Sequence, residues 1–145
     1  MNNVIKAYRV KRPKQFDELM KLLISKDEGV FDTLKGVLIF AASIGFKHKQ
    51  KMKINESGEP IAFSLFNDRR EQPFVYALAI SEFNDVAYLR EEKFPEAISV
   101  FEEYAAGGLK YLDEIIDRKN VKESIEGILA DAEDRDIITD LADEW

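Results

Sequence analysis

The 145-residue chain has no cysteine and only one histidine. Without thiols it can build no disulfide staple, thiolate zinc site or cysteine nucleophile, and a reducing compartment is the natural expectation. Apolar runs are short. Val37–Ala42 and Phe74–Ile80 fall far below the ~20 residues of a membrane-spanning helix. The opening MNNVIKAYRVKRPK lacks the apolar centre of a secretory leader. A cytoplasmic protein without a membrane partner is expected. Phosphate-binding loops are missing too: Gly107-Gly108 is not followed by Lys-Ser or Lys-Thr, and no GxGxxG follows a strand. The single histidine, His48, lies between Lys47 and Lys49, whose charge repels a metal ion. Nothing near it resembles a nucleophile elbow. This inventory offers no catalytic residue, cofactor or resident metal.

What is present suffices for one core. Hydrophobic residues make up 46% of the chain and aromatics 11%, which argues against wholesale disorder despite 34% charged residues. A domain of this length buries roughly 70% of its unfolded surface. The net charge of −7 conceals an asymmetry. Residues 1–53 hold twelve Lys/Arg against five Asp/Glu, a balance of +7, whereas residues 54–145 hold nine against twenty-three, a balance of −14. A basic segment joined to an acidic body can touch phosphate locally while the body resists non-specific adhesion. Mutual attraction of the two ends, within one molecule or between subunits of a homodimer, is the plainer alternative.

The hydrophobic spacing predicts a mainly α, single-domain helical bundle over residues 1–145. Val4–Val10 alternates loosely and reads as a short strand ended by Pro13. Phe16, Leu19, Met20 and Leu23 form the apolar stripe of a first helix ending near Gly29. Asp32 or Thr33 caps a second helix running to Gly45, in which Ala41 and Ala42 suggest close packing. The basic run KHKQKMK, Lys47–Lys53, reads as an extended loop or one arm of a small hairpin turning at Asn55–Pro60. Ile61–Phe66 is a short strand or a helical turn, which periodicity cannot decide. Pro73 introduces a helix over Phe74–Leu89, apolar nearly all round and expected at the centre of the bundle. Pro95 opens another, whose stripe runs through Gly107-Gly108 to Ile115. Two glycines there either break the helix or admit a close backbone contact. Two short amphipathic helices follow, around Ile125–Leu129 and Ile137–Leu141.

Phosphate contact requires positive charge and no acid-base chemistry. Arg9, Lys11, Arg12 and Lys14 cluster at the strand and helix start, and Lys47, Lys49, Lys51 and Lys53 alternate along one segment with His48 among them. These nine are the candidate DNA-binding residues, against the bland reading of a solvated basic surface. The order strand, helix, turn, helix resembles the ribbon-helix-helix arrangement, in which a dimer pairs its strands in the major groove. On that analogy Arg9 and Lys11 face outward, Tyr8 and Val10 inward, and a dimer supplies the strand's partner. In the acidic run from Asp131 to Asp136, the calcium-loop glycine and distal glutamate are missing. Asp131, Asp134 and Asp136 are instead candidates for protein docking. Asp85, Glu91 and Lys93 have the residue types of a magnesium-dependent nuclease, at loose spacing.

Several strings look like a bacterial family, DNA phosphorothioation-associated protein 4: Val10–Pro13, Phe40–His48, Gly58–Ile61 and Phe101–Leu109, in this order. The resemblance implies an accessory role in an antiviral restriction-modification locus, alongside other proteins of that locus, with no catalytic residues to carry across. Three expectations result. The first is a non-enzymatic DNA-associated accessory protein using its basic half on DNA and its acidic half on partners. The second is an adaptor or inhibitor acting through acidic residues alone. The third is the nuclease.

Overall fold

The computed structural model describes residues 7–27 and 29–130. Strand β1 (Arg9–Val10) leads through a 3-10 turn at Lys14–Phe16 into helix α1 (Asp17–Ile24), followed by α2 (Leu34–Lys47), β2 (Ile61–Ala62), α3 (Glu71–Phe83), α4 (Phe94–Ile115) and α5 (Val121–Ala130). The mainly α, one-core expectation is met. No helix among the described residues is long and apolar enough to cross a membrane.

Thr33 is the N-cap of α2, its hydroxyl accepting from Gly36 N at 3.2 Å. The helix continues past Gly45 because Gly45 itself lies in the packed interface. Pro95 sits in the first turn of α4, where its missing N–H costs nothing. The helix then runs unbroken through Gly107-Gly108, so of the two readings of that pair the close contact is the one observed. A Cβ on Gly108 would lie 1.7 Å from the Ala41 carbonyl oxygen, and one on Gly45 would lie 2.1 Å from that of Tyr104. Helices α2 and α4 thus meet backbone to backbone, and this pair occupies the centre.

The expected central helix is shorter and more peripheral than its apolar run implied. It ends at Phe83 because Asn84 adopts the left-handed conformation, φ 52°. Val86–Leu89 forms a separate 3-10 turn capped by Asp85, whose carboxylate accepts from Ala87 N at 2.8 Å. Helix α3 still packs on α4 through Phe74 and Phe101, edge to face at 6.2 Å. Phe63, Phe66, Phe94 and Phe101 are fully buried, each contributing about 2–3 kcal/mol by area removed from water.

The N-terminal strand finds its partner within the chain. β1 pairs antiparallel with β2, Arg9 opposite Ala62 and Val10 opposite Ile61, and Pro13 bridges Ser57. Val10 is buried and Arg9 and Lys11 are exposed, as alternation predicts. The ribbon-helix-helix analogy is corrected on one point: Ile61–Ala62 fills the place that a second subunit's strand would take. Ile61–Phe66 turns out to be strand and then helical turn, since Phe63–Leu65 is 3-10. In α5, Val121, Ile125 and Ile128 are buried while Leu129 is exposed. The helix expected around Ile137–Leu141 lies outside the described residues, as do Asp131, Asp134 and Asp136.

Candidate nucleic-acid interface

The basic run does not form one extended row. Lys47 is the last residue of α2 and is half-buried, His48 is its C-cap, and Lys49 has a positive φ of 52° that turns the chain back. The turn is fastened by backbone: Gln50 N donates to Gly45 O at 2.8 Å. Beyond it the segment lies across α4, Met52 N donating to Glu103 O at 3.0 Å. Gly107 makes this possible, because a Cβ there would come within 1.9 Å of Gln50 O. Glycines on two helices therefore hold residues 49–53 as a strap against α4, with Lys49, Lys51 and Lys53 exposed and Gln50 and Met52 turned toward the protein.

The nine basic candidates separate by environment. The Arg12 guanidinium donates to Asp17 at 2.9 Å and to Glu59 O at 2.7 Å, with only 15% of its side chain exposed. It ties β1 to the loop before β2. Lys14 pairs with Glu56 at 3.3 Å on the exposed surface, an interaction worth well under 1 kcal/mol. The His48 ring stacks on Tyr111 of α4 with centroids 4.1 Å apart. Lys51 is engaged with Glu82 of α3, and its ammonium lies 5.7 Å from the Tyr104 ring centre. Arg9, Lys11, Lys49 and Lys53 are exposed and form no ion pair among the described residues.

Two carboxylates beneath the strap complete the site, and neither was singled out by sequence reasoning as chemically special. Glu82 accepts from Lys51 and from the Tyr104 hydroxyl, the latter at 2.6 Å. The lysine bond first, and the tyrosine bond second, hold its carboxyl below the usual range. Tyr104 is correspondingly raised, by burial and then by the neighbouring Glu82. Glu102 accepts from Lys11 N at 2.6 Å and borders a hollow of about 180 Å³ shared with Lys11, Lys53, Ser99 and Glu103. Burial pushes Glu102 up to about 7, against the lowering effect of the Lys11 N–H. The ends of the two basic clusters, Lys11 and Lys53, thus converge over α4. Only their chain positions 42 residues apart concealed this.

Two residues of the nuclease expectation have local structural partners. Asp85 is the cap described above, and Lys93 lies 5.6 Å from the Tyr88 ring centre and 3.9 Å from Glu96. Among the described residues no three metal-ligating side chains converge. The strings noted in the sequence now have a structural meaning: Phe40–His48 and Phe101–Leu109 are the two sides of the α2–α4 contact and the seat of the strap.

A family model described as DNA sulphur modification system-associated protein 4 matches residues 9–143. No curated protein and no solved structure matches the chain.

Proposed function

The chain belongs to the DNA sulphur modification system-associated protein 4 family, and we propose that it acts as a non-enzymatic accessory that contacts the DNA backbone through Arg9, Lys11, Lys49 and Lys53. The observation that carries this reading is the convergence of Lys11 and Lys53 over α4, beside a strap whose outward lysines are held in place by backbone contacts. Such a surface neutralises phosphates without reading bases, so it suits sequence-independent contact. Lys51 and Arg12, already engaged with carboxylates, position the strap and β1, while Lys14 and Lys47 flank the contact. Partner proteins of the same modification locus complete the assignment. Service in restriction or antiviral defence, and work in the cytoplasm, belong to the same reading.

The test is fluorescence anisotropy of a labelled duplex, with and without phosphorothioate links, at several salt concentrations. Four phosphate contacts predict a slope of log K against log salt of about −3.6. Lys49→Glu with Lys53→Glu abolishes binding while circular dichroism is unchanged. Wild-type affinity in that folded variant overturns the assigned surface, and no binding at low salt overturns direct DNA contact.

A further inference from the structure

The segment joining α3 to α4 presents an apolar surface in an acidic setting. Phe83, Val86 and Leu89 are 45%, 72% and 59% exposed, and they account for three of the seven large apolar side chains that stand exposed among the described residues. Their concentration within seven positions makes a patch, and contiguous exposed patches mark binding surfaces more often than scattered ones do. The patch is ordered from within. Phe83 stacks on Tyr88 with centroids 4.3 Å apart and planes 13° from parallel, and the Lys93 ammonium lies over the same tyrosine ring, 5.6 Å from its centre. Beside it opens a groove of about 330 Å³ lined by Phe83, Pro95, Val100, Lys51, Glu96 and Glu103. That volume admits one bulky side chain.

The charge around the groove selects its occupant. The groove lining holds three carboxylates (Glu82, Glu96, Glu103) against one cation, Lys51, a balance of −2, and the stretch 82–103 that forms most of it holds seven carboxylates against two cations, a balance of −5. Nucleic acid is repelled there, as is any acidic protein surface. A protein segment bearing adjacent aliphatic or aromatic side chains between lysines or arginines satisfies both features: one anchor enters the groove against Phe83, its apolar neighbour covers Val86 and Leu89, and the cations meet Glu96 and Glu103. We propose that the groove between the α3–α4 connection and the first turns of α4 docks such a basic, apolar-anchored segment of a partner protein. The groove adjoins the hollow at which Lys11 and Lys53 meet, sharing Ser99 and Glu103 with it, but none of Arg9, Lys11, Lys49 and Lys53 lines the groove, so the proposal does not require that those residues touch DNA.

The experiment is an NMR titration of the isotope-labelled full chain with the synthetic peptide KRLFKR, alongside KRSSKR and ELFE control peptides. The expected result is saturable binding of KRLFKR with perturbed amides confined to residues 82–103 and the adjoining Lys51, and affinity at least about tenfold lower for KRSSKR. Val86→Ser with Leu89→Ser, two exposed positions whose change leaves the core intact, weakens KRLFKR by about tenfold, as does Glu96→Gln with Glu103→Gln. Leu65→Ser, an exposed apolar position elsewhere, leaves it unchanged. Absence of saturable binding, perturbations centred on residues 131–145, or equal affinity in the Val86/Leu89 variant overturns the proposal. So does a dimer in light scattering that the Val86/Leu89 variant dissolves, because a second copy is then the occupant.

Discussion

Replacing Gly108 by alanine and Gly127 by alanine makes the same chemical change in two helices, and the structure assigns the two opposite signs. At Gly127, on the exposed face of α5, an added Cβ meets nothing within 4 Å. The substitution there keeps only the propensity term, a gain of about 0.5–1 kcal/mol. At Gly108 the same methyl would stand 1.7 Å from the Ala41 carbonyl oxygen, an atom of helix backbone that cannot rotate away. Restoring ordinary contact of about 3.5 Å requires α2 and α4 to part by roughly 1.5–2 Å. A gap of even 0.5–1 Å forfeits about a quarter to a half of each dispersion well, and this contact runs through the middle of the core formed by the described residues. Helix propensity returns about 1 kcal/mol, while overpacking and the voids it opens cost about 3–5 kcal/mol, so a net loss of about 2–4 kcal/mol is expected. Urea denaturation followed by helical circular dichroism measures both. Gly108→Ala shifts the midpoint far down, and Gly127→Ala shifts it slightly up. A Gly108→Ala protein within about 1 kcal/mol of wild type would refute the backbone-to-backbone packing of α2 on α4.

Other expectations address the strap and its supports. Arg12→Ala lowers stability by about 1–3 kcal/mol, because it strands the Asp17 carboxylate and the Glu59 carbonyl, whereas Arg9→Ala leaves stability unchanged and reduces the salt slope of DNA binding by about one; chemical denaturation and anisotropy separate the two. Tyr104→Phe costs about 1 kcal/mol by removing the hydroxyl that Glu82 accepts, and it leaves DNA affinity within about twofold, a result read by the same pair of assays. Glu102 supplies a pH dependence. Its folded value of about 7 lies above the ordinary carboxylate value, so the native state binds the extra proton between about 4.5 and 7 and stability falls as pH rises through that window. The contribution is on the order of 3 kcal/mol, present below the window and lost above it. Glu102→Gln abolishes this slope, so thermal melts of both proteins from pH 4.5 to 8 should converge at the acid end and diverge at the alkaline end.

Amino-acid order alone determined the local features of this protein. A helix cap at Asp32 or Thr33, Pro95 in a first helical turn, the inward Val10 beside outward Arg9 and Lys11, and the apolar stripe of α4 through its glycines all follow from interactions within a few residues, which spacing encodes directly. The polarity of the chain, basic before residue 54 and acidic after it, was equally plain. The end of α3 was less legible, since Phe83, Val86 and Leu89 continue a helical period while the left-handed backbone at Asn84 interrupts it. Tertiary structure decided the rest, because it depends on which distant groups meet. The choice of β2 as the partner of β1, the folding of the basic run into a strap, the engagement of Arg12 by the Glu59 carbonyl and of Lys51 by the Glu82 carboxylate, and the convergence of Lys11 with Lys53 carry no periodic signature. Gly45, Gly107 and Gly108 sit at the boundary between the two kinds of information. The sequence offered a helix break or a close backbone contact at Gly107-Gly108 and a helix end at Gly45, and only packing determined that all three admit approaching backbones, those of Gln50, Ala41 and Tyr104.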